Sequence, residues 1–161
     1  MIIRKAYKVR LKTNADLEDK FWQYAGHCRF IWNYFWRLNK YRLDQGLPIM
    51  RYFEMDYFSK LLKASDEYGF LKEAPAQCLQ QKLKDLDKAY RDGFDKKQVR
   101  KWLPKLRKKQ IHSSFRFPEP KHIEIDNRRM KLPKLGWVSF YKSQAILGAI
   151  KNITLSYKTS A

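Results

Sequence analysis

Residues 3–11 alternate between apolar and charged positions. Ile3, Tyr7, Val9 and Leu11 fall on one face, and Arg4, Lys8 and Arg10 on the other, which is the period of a strand. Asn14 or Thr13 then offers a helix N-cap, and Asp16, Glu18 and Asp19 suit the positive first turn. From Leu17 the period changes. Leu17, Phe21, Tyr24, Cys28, Ile31, Phe35 and Leu38 form an apolar seam about six turns long. Trp22, Trp32 and Trp36 broaden it, and the heptad spacing assigns these aromatics mainly to the core. Gly46 and Pro48 end the element. A second helix over about 51–66 carries Phe53, Tyr57, Leu61 and Leu62, and Gly69 stops it. Pro75 fits the first position of a third helix, whose buried seam is Leu79, Leu83, Leu86, Tyr90 and Phe94. Gln77, Gln81, Lys84, Lys88 and Arg91 recur on a different face, amides followed by cations, with no carboxylate in the stripe.

Beyond residue 99 the spacing shortens. FRF at 115–117, HIEI at 122–125, RMKLP at 129–133, WVSFY at 137–141 and KNITLSYK at 151–158 read as short strands, punctuated by Pro118, Pro120, Pro133, Gly136 and Gly148. The order strand, three helices, several strands predicts an α+β chain. A helical block interrupts a small β-barrel or sheet, and the first strand returns to the later ones.

Charge sharpens this picture. The 161 residues carry 35 Lys and Arg against 16 Asp and Glu, a net charge of +19. Residues 96–134 hold 14 basic and 3 acidic residues, so 14 − 3 = +11 of the total lies in that block. A polyanion is the natural partner, nucleic acid before an anionic membrane surface. No run approaches the ~18 apolar residues of a membrane span, and the opening MIIRKAYKVRLK has no signal-peptide core. Cys28 and Cys78 are the only cysteines, which suits buried thiols in a reducing cytoplasm rather than a disulfide framework.

Catalytic signatures are sparse. There is no GxxxxGK[ST] or GxGxxG loop, no CxxC, no HExxH and no GxSxG. His27 beside Cys28 chelates poorly from neighbouring helical positions, and His112 and His122 stand singly in a basic tract. Ser113 and Ser114 near His112 read as polar strand residues. A two-metal nuclease needs gathered carboxylates, whereas Asp126 is the last acid, preceded in the β region by Glu119 and Glu124. The chain is therefore expected to lack hydrolytic chemistry of its own and to hold neither cofactor nor metal. KKQVRKWLPKLRKKQ at 96–110 points instead to nucleic acid. Eight cations stand in fifteen residues, with Trp102, Leu103 and Leu106 interleaved for anchoring. The amide and cation stripe of the third helix (Gln77, Gln81, Lys84, Lys88, Arg91) suits duplex DNA, because Gln can pair with adenine through two hydrogen bonds. The alternatives for these two stretches are a solvated linker and an ordinary exposed helix face. Arg116 lies in the same basic block.

Six segments in order resemble the N-terminal part of the OrfB/TnpB proteins of insertion sequences, compact RNA-guided nucleases related to type V CRISPR effectors. They are AYKVRLKTN, CRFIWNYFW, QCLQQKLKDLDKAYRDGF, PKLRKKQIHSSFRF, MKLPKLGWV and IKNITLSY, and their order and spacing agree across nearly the whole chain. The resemblance implies a wedge-type, OB-like β-barrel interrupted by an inserted helical bundle. Residues 1–14 would be the first strand of the wedge and 15–98 a helix-turn-helix-like recognition lobe. Residues 99–161 would form the basic entry and remaining strands. It also implies guide RNA and duplex DNA as partners, with guide pairing supplying most of the specificity. By segment, Tyr52, Gln77, Gln80 and Gln81 match the part of the lobe facing target-flanking duplex, and Lys105, Arg107, Lys108 and Lys109 the wedge entry.

The family continues into a RuvC-like domain with three metal-binding acids and a Cys-rich zinc element. This sequence stops at SYKTSA, before any of these. The expectation is a non-catalytic binding module in a prokaryotic, nucleoid-associated cytoplasmic setting. The rivals are a stand-alone DNA-binding repressor or remnant of the element, and part of a nuclease with its catalytic domain on another chain. The strand at 151–158 is expected to lack a partner and to promote self-association.

Overall fold

The computed structural model describes residues 1–159. Strand β1 is Arg10–Leu11, much shorter than the alternation over 3–11 predicts, because only these residues find a ladder partner. Helix α1 (Ala15–Asp44) starts where the cap residue sets it: Asn14 is extended, and its side chain accepts from the Leu17 amide at 2.8 Å. Such a cap contributes about 1 kcal/mol. The helix ends at Gly46 in the left-handed region (φ 68°), where the Gly46 and Leu47 amides satisfy the last carbonyls.

Asn39 then fixes the connection to α2 (Tyr52–Ala64). Its buried amide donates to the Met50 carbonyl at 3.2 Å and accepts from the Met50 N–H at 2.7 Å, as a strand neighbour would. A 3-10 turn at Gly69–Glu73 follows, so Gly69 opens an element rather than only closing one. Helix α3 (Ala76–Phe94) is capped by Pro75, one place before the first helical position. Leu79, Leu83, Leu86 and Tyr90 are buried as their spacing predicts. Phe94 is instead half exposed, stacked on Tyr90 at the frayed end. On α2 the apolar residues divide: Phe53, Tyr57 and Leu61 are exposed, Leu62 packs partly buried against the core, and the buried positions are Met55 and Ser59.

Five strands follow: β2 (His112–Phe117), β3 (Glu124–Asp126), β4 (Arg129–Leu132), β5 (Gly136–Tyr141) and β6 (Ile153–Lys158). All pairing is antiparallel. One sheet has the order β1-β5-β4-β3 and the other is the pair β2-β6, so the first strand does return to a late one. Among the described residues the strands close into no barrel. The expected orphan strand also has a partner: β6 pairs with β2 along its length, from Ile153 opposite Phe117 to Lys158 opposite His112. That partner lies some 40 residues earlier in the chain, so the pairing is not that of a local hairpin.

Helices and sheets share one core. Phe21 and Tyr24 of α1 meet Phe115 of β2, which leads to Phe117, and Val138, Phe140, Met130 and Leu132 close the other sheet onto the same cluster. Cys28 and Cys78 lie within it as free thiols, and burial pushes the Cys28 thiol up to about 12 and raises Cys78 as well. Both are therefore inert packing groups. Among the described residues no helix is long and apolar enough to cross a membrane.

Candidate nucleic-acid interface

The basic segment after α3 does not hang free. It crosses the end of α3 so closely that a Cβ on Gly93 would meet Leu103 Cα and the Trp102 carbonyl oxygen at 3.0 Å. It then runs along α1, and this stretch, 104–109, is termed the strap. Trp36 Nε1–H donates to the Pro104 carbonyl at 2.7 Å, and Trp32 Nε1–H donates to the Lys105 carbonyl at 2.9 Å. The Asn33 amide donates to the Arg107 carbonyl at 2.9 Å and accepts from its N–H at 2.8 Å. An extended chain outside any sheet needs partners for its backbone groups. Side chains one helical turn apart on α1 supply them here.

Indoles of α1 hold the cationic side chains as well. The Arg107 guanidinium lies over Trp32, 3.8 Å from the ring centre, and Lys109 Nζ stands 5.7 Å from Trp22. Desolvation against the ring holds Arg107 below its ordinary pKa, opposed by Asp85, and the group stays cationic at neutral pH. Lys105, Lys108 and Lys109 are exposed. Among the described residues no strap cation forms an ion pair, and Arg116 on β2 has none either. The result is a short row of uncompensated positive charge with a fixed backbone, able to neutralise phosphates.

The stripe on α3 has a different character. Its positions carry no carboxylate, yet carboxylates reach it from neighbouring positions. Lys88 pairs with Asp92 at 2.6 Å, and Arg91 pairs with Asp87 at 3.3 Å. Buried Asp87 also holds Arg51 at 2.6 Å, which ties the start of α2 to α3. Lys84 lies over the Tyr52 ring at 5.3 Å. The amides are engaged as well: Gln80 donates to Asp56 at 3.3 Å, Gln81 donates to Asp85 at 2.8 Å, and Gln77 accepts from the Glu119 N–H at 3.3 Å. Tyr52 is half-buried, and its phenol is held above the usual range by desolvation. The structure thus brings Tyr52, Gln80 and Lys84 to one α2–α3 surface, and sets Lys105, Arg107, Lys108 and Lys109 on the α1 side.

Sequence reasoning missed the residues that carry the strap. Trp32 is buried and Trp36 half-buried, in keeping with a core assignment by heptad. Their N–H edges nevertheless point at the strap backbone. A run of Trp, Asn and Trp at 32, 33 and 36 was the available signal, since three long-reach donors on one turn imply acceptors nearby. No group of three or more His, Cys, Asp or Glu side chains able to hold a metal occurs among the described residues.

Residues 1–47 match the helix-turn-helix domain family of OrfB-type IS605 proteins. In this fold those residues comprise β1 and the uninterrupted α1, and a turn between helices comes next, at the link to α2. The chain is also 32% identical over 152 residues, 94% of its length, to a protein of Escherichia coli (strain K12) named "Putative RNA-guided DNA endonuclease InsQ". It spans 37% of the length of that protein.

Proposed function

Since the chain belongs with the OrfB/TnpB proteins of insertion sequences, we propose that it is a nucleic-acid-binding module of such a protein, non-catalytic within these residues. Its ligands are guide RNA and the duplex DNA flanking the target. The carrying observation is the strap, whose Lys105, Lys108 and Lys109 are exposed and, among the described residues, unpaired on a backbone fastened to α1. Preformed placement matters because ordering a flexible cationic linker on binding costs entropy that a fastened one has already lost. On this reading the two sheets form an open wedge, the helices a recognition lobe, and the module works at the nucleic acid of the cytoplasm. Reading of duplex by Gln77, Gln80 and Gln81 requires those amides to exchange their internal partners for base edges.

The test is a salt titration of binding to duplex DNA and structured RNA. Replacing Lys105, Lys108 and Lys109 by Gln removes three charges and, apart from the Lys109 contact on Trp22, keeps the strap's backbone hydrogen bonds and Arg107 on its indole. The slope of log affinity against log salt should become shallower by about 0.9 per lost phosphate contact on duplex DNA. Unchanged slope in the triple variant overturns the assignment.

A further inference from the structure

The four-stranded sheet turns a second surface to solvent, opposite the core. Alternation and register place Trp137, Ser139 and Tyr141 of β5 on that face, with Arg10 of β1 opposite Tyr141 and Lys12 beside Ser139. Trp137 is 44% exposed and Tyr141 57%. Cations sit on both rings: Arg129 is 4.7 Å from the centre of Trp137, and Lys12 is 4.9 Å from that of Tyr141. Midway between the rings, Ser139 lines a shallow recess of about 270 Å³ whose wall carries Lys12, Arg128 and Arg129 together with Asp126 and Asn127.

From this face we infer a stacking platform for single-stranded nucleic acid, with unpaired bases on Trp137 and Tyr141 and their phosphates toward Lys12 and Arg128. The inference rests on the nucleic-acid reading above and names a ligand form and a surface that the strap does not supply. Core formation gives no reason for aromatic rings here, since Val138 and Phe140 already fill the inward positions of β5. Large π-faces exposed beside cations match a ligand with a flat ring and an anionic backbone. A duplex keeps its base faces stacked inside, so it cannot use the rings. Residues four apart on a strand lie about 13 Å apart, too far for one base to touch both, so the rings take different bases of one strand. Charge orients the strand. Arg129 and Lys131 are paired to Asp126 and Glu124 at the β3 edge, whereas Arg10, Lys12 and Arg128 form no ion pair among the described residues. Asp126 also lines the recess but is paired with Arg129, so the backbone follows the β1 side, where Arg10 and Lys12 stand.

The experiment compares the full chain with the double variant Trp137→Thr, Tyr141→Thr. Threonine suits exposed strand positions, and circular dichroism and melting confirm the fold. A second variant, Trp137→Phe with Tyr141→Phe, keeps the π-faces. Binding is read by fluorescence anisotropy on short unstructured RNA, on DNA of the same sequence, and on the matching DNA duplex. The Thr variant should lose roughly five- to a hundredfold in single-strand affinity for each lost stacked base. Its salt slope and duplex affinity should stay within about twofold of the parent, and the Phe variant should retain most single-strand binding. Loss on RNA alone, on DNA alone or on both supports the platform and identifies the strand. The platform is overturned if the parent does not bind single strands, if the Thr variant binds them as the parent does, or if duplex binding falls equally. Failure of the strap assignment shows separately, as an unchanged salt slope in the strap variant.

Discussion

The strap and the α3 stripe are built from the same residue types, yet they present different electrostatics to a ligand. On the strap, the groups that hold the chain in place are indole N–H donors, an asparagine amide and π-faces, none of which cancels positive charge. On α3, the groups that order the cations are Asp87 and Asp92, which largely do cancel it. Counting Lys and Arg treats the two as equals. The useful quantity for binding a polyanion is the charge left after internal pairing, together with how firmly it is placed.

The largest expected departure comes from exchanging these characters. Lys88→Gln with Arg91→Gln removes two charges from α3 but should leave the salt slope for duplex DNA almost unchanged, in contrast to the strap variant. Asp87→Asn acts in the opposite sense. It releases Arg51 and Arg91, and the slope should steepen by up to about 0.9 for each freed cation that reaches a phosphate. Folding stability should fall at the same time by about 1 kcal/mol, a modest figure because both arginines are half exposed and screened. A steep change for the α3 pair, or none for Asp87→Asn, measured in the same titration, removes the distinction.

A smaller effect sharpens the role of the indoles. Trp32→Phe with Trp36→Phe keeps aromatic bulk and deletes two N–H donors to the strap backbone. Each hydrogen bond contributes about 0.5–1.5 kcal/mol. The strap should therefore open more often, and limited trypsin digestion should cut after Lys105 and Arg107 sooner than in the parent. Cutting after Lys96 and Lys97, outside the strap, should not change. Equal protection of the strap in both proteins rules out the indoles as its fastening.

The smallest predicted effect lies away from both surfaces. His27 has a buried Nδ1 without a hydrogen-bond partner, packs on Phe70, and is lowered in pKa by desolvation, with Glu73 opposing. A histidine lowered on folding takes up protons more readily when unfolded. Stability is then unaffected by it above the unfolded value of about 6.5 and falls as pH drops below that value. Melting curves between neutral and mildly acidic pH should show this loss in the parent and less of it in His27→Gln. An identical pH dependence in both removes His27 from the account.

Much of the architecture was legible without coordinates. The Asn14 cap, the seam from Leu17 to Leu38, the α3 seam to Tyr90 and the short strands at 129–132 and 136–141 all reappear, because each depends on a residue's near neighbours and the period of one element. The burial of α2 was not legible, because Met55 and the small polar Ser59 go inside while Phe53, Tyr57 and Leu61 stay exposed. The site was half legible. Charge density located residues 96–110, but its availability was hidden.

Sequence alone determined the helix and strand periods, the α+β order, the concentration of charge after α3, and the family resemblance carried by six ordered segments. Tertiary structure alone decided which cations remain free, where the tryptophan N–H groups point, and which strand pairs with β6. The reason is separation along the chain. Arg51 meets Asp87 36 residues away, Trp32 meets Lys105 73 residues away, and β6 meets β2 with β3, β4 and β5 between them in the sequence. Periodicity reports which face of an element is buried. Pairing of charges and donors depends on which distant element the fold brings against that face.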